Sequence, residues 1–479
     1  MKLFKLLSVA IIVLAAMQGC LKDKGNYTYH DINQIKITNT LPDTFRVMVQ
    51  DSLKIDIEIS QTMPDAAGVE YDWVLYQGAS APYRRQMGKT SHLRALISDA
   101  PATYDLDLFI KDKKTNVSFF RKFYVTITTP FNQGWLVMEE SNGHNDVSMI
   151  LPDNTVSRSV FSKANNNQYL NAGNGRIAVY NRRTDQIVYL FTPGSGKQLS
   201  ISTFAVQSTL RDWFFIPPAT ENPTDAFAIG SEEHILNDGK AYGVNLMAPA
   251  PYKYGVATAG DYYLAPYQLS NQLYGFIFYD TIAQRFWYRP STDFSLINIA
   301  SSGPTDPWNL NKVDKRLLYA GLFTGSNMVA VFETNNRDSL FVNTAYCNGS
   351  QSKGLTADTL QKGLQLQSAS NYLASRMVQH IYYSKDNQLF LWDVPARASR
   401  LLYTFPAGTE VRRMKWYNNT RSSTDPDNNR VIAVATKEGT EGKVYFFPTE
   451  ATGDFTNNTY RSVSGGFGLI RDITYKPQP

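Results

Sequence analysis

From about Gly134 to the end of the 479-residue chain one phrase keeps returning: an apolar or aromatic strand, a tight polar turn, a strand of the same kind, and a gap. "GWLVMEE" with "NDVSMILP" is one instance, "GRIAVYNRRTDQIVYLFTP" the next, and "NQLYGFIFYDTIAQRFWYRP" a later one. "KRLLYAGLFTGSNMVAVFE" with "DSLFVNTAY", "HIYYSKDNQLFLWDV" with "SRLLYTFP", and "RVIAVATKEGTEGKVYFFP" follow, and the stretch around "DWFFIPP" and "DAFAIGS" supplies a poorly formed one. The interval is about 40 to 55 residues, the spacing of β-propeller blades with four short strands each. Seven blades are counted, and six or eight also fit the rhythm. A string of further β-sandwiches would need about 100 residues per unit and clearer linkers. There is no WD40 or kelch signature, so rhythm alone carries the inference. An aromatic share of 13% suits it, because aromatic residues are enriched in strands.

The preceding stretch, from about His30 to Thr129, is patterned differently. Its strand candidates are "IKIT" (35–38), "LKIDIEIS" (53–60), "YDWVLY" (71–76), "YDLDLFIKD" (104–112) and "FYVTIT" (123–128). In "LKIDIEIS", Leu53, Ile55, Ile57 and Ile59 point one way and Lys54, Asp56 and Glu58 the other, as in a half-buried strand. Trp73 is expected between two sheets, as a buried Trp is in immunoglobulin-like domains. The expected architecture is therefore all-β: an Ig-like β-sandwich over residues 30–129, a joint at "TTPF" (128–131), and a propeller of about seven blades over 134–479.

The N-terminus predicts an address. Lys2 and Lys5 precede the apolar run Leu6–Met17, a basic segment and a hydrophobic segment of signal-peptide length. The run falls short of the about 20 residues that span a bilayer. Gly19 before Cys20 has the form of a bacterial lipobox, in which the cysteine is acylated and becomes the first residue. Residues 1–19 are then a signal peptide and 20–29 a lipidated polar tether. Each buried acyl CH2 contributes about 0.8 kcal/mol, so several chains on Cys20 anchor the protein to the membrane. The alternative is a secreted protein with an accidental cysteine.

Charge and cysteine count exclude some partners and sites. Formal charge is +5 and falls to +3 when Lys2 and Lys5 leave with the signal. It is spread without a basic block, which argues against nucleic acid. Of the two cysteines, acylation leaves Cys347 alone, so neither an intramolecular disulfide nor a cysteine zinc site can form.

No catalytic motif stands out. His30, His92, His144, His234 and His380 never fall at metal-pair spacing, and neither a G-x-S-x-G elbow nor a phosphate loop occurs. No metal or cofactor is expected. "SNGHND" (141–146) offers His144 and Asp146, but Ser, Asn and Gly around a His between strands read as a hairpin turn. Asp105, Asp107 and Asp112 in "YDLDLFIKDKK" do not form an EF-hand loop, and alternation puts Asp105 and Asp107 on a solvent face. Aromatic clusters in "PYKYG", "GDYYLAPYQ" and "RFWYRP" make Tyr263, Tyr267 and Trp287 candidate ligand-binding residues, since such rings stack sugars or pack peptides. The competing reading is packing between blades. Asp-Ser/Thr-aliphatic triplets, such as Asp280-Thr281-Ile282, resemble an O-glycosylation sequon, and no site is assigned to them.

A lipobox Cys followed by "DKGNYTY" (23–29) and "INQI", then "YDWVLY" with Tyr71 and Trp73, then a long propeller-like remainder, resembles the PKD-like family of surface lipoproteins. Gut anaerobes encode these beside Sus-type nutrient importers. The resemblance implies an accessory lipoprotein of the outer membrane, facing the cell exterior. Its partners would be a TonB-dependent transporter barrel (SusC-like) and its lid lipoprotein (SusD-like), and its role the capture of peptides or glycans without catalysis. A different class is also open: a propeller-type hydrolase or lyase whose acid and base come from separate blades, with Glu139, Glu140, Asp280 and Asp393 near strand ends.

Overall fold

The computed structural model describes residues 31–77, 84–270, 275–290, 294–323, 325, 327–360 and 364–478. The signal peptide, Cys20 and the tether lie outside the described residues. The fold is all-β, as expected. Among the described residues the α-helix is represented by the single turn and a half at Val160–Ala164, and no helix is long and apolar enough to cross a membrane.

Among the described residues two compact units emerge: 31–45, 53–77, 84–95 and 104–125 form one, and 46–52, 96–103 and those from 126 to 478 the other. The early strands build a five-stranded sheet in the order Thr44–Met48, Ser118–Thr128, Ala102–Asp112, Val69–Tyr76, Arg84–Gly88, with two short ladders pairing Ile35–Ile37 to Ile59–Gln61 and Ser52–Asp56 to His92–Leu96. Trp73 is fully buried, stacks 6.0 Å from Phe123, and its indole N–H donates to the Thr90 carbonyl at 2.9 Å.

Two local readings change. "LKIDIEIS" is two strands, Ser52–Asp56 and Ile59–Gln61, which pair with different partners. Leu53, Ile55 and Ile57 keep the predicted inward alternation. Asp107 does not face solvent: it is buried, with Tyr76 and Lys122 of neighbouring strands gathered against it. Asp112 is also buried, accepting hydrogen bonds from the Asn33 amide at 2.9 Å and the Lys114 N–H at 2.8 Å, which fixes the following turn.

In the second unit seven antiparallel sheets follow among the described residues. The first joins Val156–Ser157, His144–Ile150, Gly134–Ser141 and Leu469–Lys476; the second is Arg176–Arg182, Asp185–Thr192, Ser195–Leu199 and Val206–Thr209. The third is Pro223–Ile229, Glu232–Asn237 and Lys240–Asn245, and the fourth Leu264–Ser270, Phe276–Asp280 and Arg285–Arg289. The fifth is Arg316–Leu322, Asn327–Glu333, Leu340–Tyr346 and Lys353–Leu360; the sixth Asn371–Ala374, His380–Lys385, Gln388–Asp393 and Ala398–Thr404; the seventh Thr409–Trp416, Val431–Glu438, Glu441–Pro448 and Ser462–Phe467. "DWFFIPP" does not form a strand of the third sheet. Its start lies in a 3-10 turn, Leu210–Trp213, held by a reciprocal Thr209–Asp212 capping box.

The central strands of the second and the fourth to seventh sheets are mostly apolar on both faces, whereas that of the third carries buried Glu232, Glu233 and His234; strand geometry explains the apolar runs. Successive side chains leave opposite faces, so a sheet with a neighbour on each side needs an unbroken apolar run. In the fourth sheet Phe278 joins Phe227 and Leu236 of the third, while its neighbour in sequence, Ile277, joins Met328 and Phe332 of the fifth. In the fifth sheet Val329 and Val331 face the other way, onto Ile381 and Phe390 of the sixth. The same pattern links the second sheet to the third, the sixth to the seventh, and the seventh, through Ala433 and Phe446, to Trp135 and Ile473 of the first. The first sheet is itself made from both ends of this unit, because Leu469–Lys476 pairs with Gly134–Ser141 from Gly134 against Lys476 to Glu140 against Leu469.

Candidate functional site

A cavity of about 960 Å3 lies where the leading strands of several sheets approach one another. Arg176, Asp225, Tyr267, Tyr319, Asn371 and Lys415, from the second to the seventh sheet, all reach it. Each leading strand stands at one edge of its sheet and runs beside the leading strand of an adjacent sheet, as Thr409–Trp416 does beside Leu469–Lys476 and Asn371–Ala374.

Cations dominate its wall. Arg176 donates to Asp225 at 2.9 Å, and its Nε lies 4.0 Å from Asp472, which also accepts the Ile177 N–H at 2.9 Å. Arg413 lies 3.7 Å from Asp472 and donates to the Arg471 carbonyl at 3.0 Å. Arg316 is held by the buried carboxylate of Glu333. Arg376 and Lys415 complete the set. Burial lowers both from their ordinary values, Lys415 to about 8, with Arg176 and Arg413 adding repulsion to it.

Aromatic rings line the space between these charges. Tyr319 packs edge-on to Tyr267 at 5.7 Å and parallel to Tyr372 at 5.8 Å. The Tyr319 hydroxyl accepts the Ala374 N–H at 2.8 Å, and burial pushes it up to about 12, so it stays protonated. The Trp416 indole N–H donates to the Ala374 carbonyl at 2.7 Å, fixing the ring at the wall.

Of the three candidate ligand-binding aromatics, Tyr267 reaches this cavity, its hydroxyl donating to the Leu318 carbonyl at 3.1 Å. Tyr263 and Trp287 lie elsewhere, gathered by Asp280, which accepts the Tyr263 N–H at 3.2 Å and the Trp287 indole N–H at 3.1 Å. The Trp287 ring is already engaged, with the Arg285 guanidinium 3.8 Å from its centroid and apolar residues of the third and fourth sheets beside it. Tyr263 is 41% exposed and packs over Gly239, where a Cβ would come within 2.5 Å of its ring.

The four carboxylates considered for acid–base chemistry are not brought together at the cavity. Glu139 accepts from the Ser148 hydroxyl and the Gly468 N–H, both at 2.6 Å. Glu140 accepts from Gly173 N–H at 2.6 Å and from Arg471 at 2.8 Å, which together hold its carboxyl below the usual range. Asp280 is fully buried, and Asp393 accepts the Ala396 N–H at 2.9 Å. Asn142 and Gly143, both at positive φ, make the hairpin turn read in "SNGHND"; Asp146 accepts from the Ser162 hydroxyl at 2.6 Å, and the His144 ring packs 3.8 Å from that of Tyr169. Among the described residues no group of three His, Cys, Asp or Glu could hold a metal ion.

The sequence reading missed the cavity cations. "VRRMKW" (411–416) carried a signal, since three cations on a strand inside an apolar rhythm have no packing reason to be there.

Residues 20–172 match the model of the PKD-like family. Among solved structures the chain is similar to a quinonprotein alcohol dehydrogenase-like protein from Bacteroides thetaiotaomicron, at 13% identity over 92% of this chain and 99% of that one, with a TM-score of 0.49. It is also similar to an extracellular domain from the same organism, at 8% identity over 92% of this chain and 71% of that one, TM-score 0.40. A third likeness is to the WD40 domain of SCAP from fission yeast, at 8% identity over 61% of this chain and 74% of that one, TM-score 0.34. No match was found among curated proteins. Similarity to the PKD-like family over residues 20–172 is what these comparisons establish for the chain.

Proposed function

We propose that the protein is a ligand-capturing lipoprotein of the outer-membrane surface, an accessory to a TonB-dependent nutrient importer, whose second unit is a seven-bladed β-propeller with the cavity as its central channel. The cavity carries the reading: the leading strands of the sheets converge on a space of about 960 Å3, at the upper end of the roughly 300–1,000 Å3 typical of small-molecule sites. The propeller assignment is supported by apolar clusters linking successive sheets and the seventh to the first, and by the terminal strand Leu469–Lys476 completing the first sheet. Anchoring is supported by the lipobox-like Gly19–Cys20 and by a family match that begins at residue 20. Its ligand would be a peptide or a glycan, held and passed on without turnover.

Mild detergent extraction of outer membranes, followed by affinity capture of this chain, tests the reading. The transporter barrel and its lid lipoprotein should co-purify with the native protein and be lost with Cys20→Ala, which should also leave the membrane fraction. Recovery of the native protein alone would overturn the importer role, and an unlipidated Cys20 by intact mass would overturn the anchor.

A further inference from the structure

The cavity holds more positive charge than its own carboxylates neutralise. Arg176, Arg413 and Lys415 cluster around Asp225 and Asp472, and Arg376 faces the same space from the end of the sixth sheet's leading strand. Arg176 and Arg413 take up the two carboxylates. Arg376 and Lys415 have no hydrogen bond or ion pair with a described residue; at the cavity wall Arg376 is exposed and Lys415 half-buried. The desolvation of Lys415 costs free energy, and Arg376 makes no ion pair that would stabilise the fold, so folding alone gives no reason for either.

We infer that the cavity binds an anionic oligosaccharide, one carrying carboxylate or sulfate groups, with Arg376 and Lys415 as its anion-binding residues. This rests on the cavity being the capture site. Two anionic groups would neutralise the two unpaired cations, and Arg376 offers the planar fork that holds a carboxylate or sulfate by two hydrogen bonds. The rest of the wall favours a sugar over an acidic peptide. The Thr224 and Ser370 hydroxyls and the Asn371 amide oxygen are there for sugar hydroxyls, and the rings of Tyr267 and Trp416 stand at the same wall.

The two cations also predict the behaviour of variants. Lys415→Met and Arg376→Gln each remove an unpaired charge, so each should fold at least as stably as the native chain while losing affinity. Calorimetric titration of the full chain in detergent would use oligogalacturonate for carboxylates, a sulfated galactose oligomer for sulfate esters, a neutral galactose oligomer of equal length, and tetraglutamate. One charged sugar should bind at least about tenfold more tightly than the neutral one, and the preferred one identifies the anion. Each substitution should weaken it by about tenfold or more with no fall in Tm, and raised salt should weaken it too. Equal affinity for the neutral oligomer, undiminished binding by both variants, no binding of either charged sugar, or tighter binding of tetraglutamate would each overturn the inference. Co-purification with the transporter is scored separately, so a neutral ligand would end this inference and leave the capture reading standing.

Discussion

Half-buried Lys415 and fully buried Cys347 have opposite prospects. Cys347 sits in the apolar cluster between the fourth and fifth sheets, 1% exposed, and burial pushes its thiol up to about 12. A thiol reagent needs the thiolate, so Cys347 should stay unmodified for hours in native protein at pH 8 and react completely after denaturation, as mass spectrometry would read. Lys415, lowered to about 8 but opening on the cavity, stays largely charged at neutral pH. Desolvation lowers it first and Arg176 and Arg413 add to that, against Asp472 and Asp225, which raise it; Arg176, Asp225 and Asp472 are far from "MKW" in the sequence. Tyr263 and Trp287 were legible as unusual for the same local reason that misled: ring density in "RFWYRP" signals packing and binding alike, and Asp280 and Arg285 had already engaged the indole.

Within single elements, alternation read the buried face of Leu53, Ile55 and Ile57, misread that of Asp107, and did not show where the strand stops. Leu53, Ile55 and Ile57 turn inward as read, yet the ladder breaks after Asp56 because the flanking segments find different partners. Trp73 was legible because a large ring in a short strand has to be covered, and Phe123 and the Thr90 carbonyl provide both the packing and the hydrogen bond. Removing it leaves a cavity and an unpaired carbonyl. Trp73→Ala should destabilise the first unit by about 3–5 kcal/mol, seen as a shift in its urea midpoint, whereas Trp73→Phe should cost less. A shift under about 1 kcal/mol for the alanine variant would show that the sandwich core does not depend on this ring.

Across the whole molecule, the terminal strand Leu469–Lys476 matters beyond its length. It pairs with Gly134–Ser141 and places Ile470 and Ile473, both fully buried, in the cluster joining the seventh sheet to the first. A chain ending at residue 468 should therefore lose the cooperative thermal transition of the second unit and aggregate, because Trp135, Val137 and the edge of Gly134–Ser141 would be uncovered. An unchanged Tm would show that the first sheet holds without it. The all-β class, the strand phrases and most of their turns could be read along the chain, because these depend on side-chain alternation and on residues such as Asn142 and Gly143 that tolerate positive φ. That residues 134–141 and 469–476 share one sheet, and that Arg176, Arg376, Arg413 and Lys415 meet around one cavity, emerges with the packed fold. Those pairings join segments hundreds of residues apart, and long-range proximity leaves no local pattern when each partner satisfies its own strand equally well.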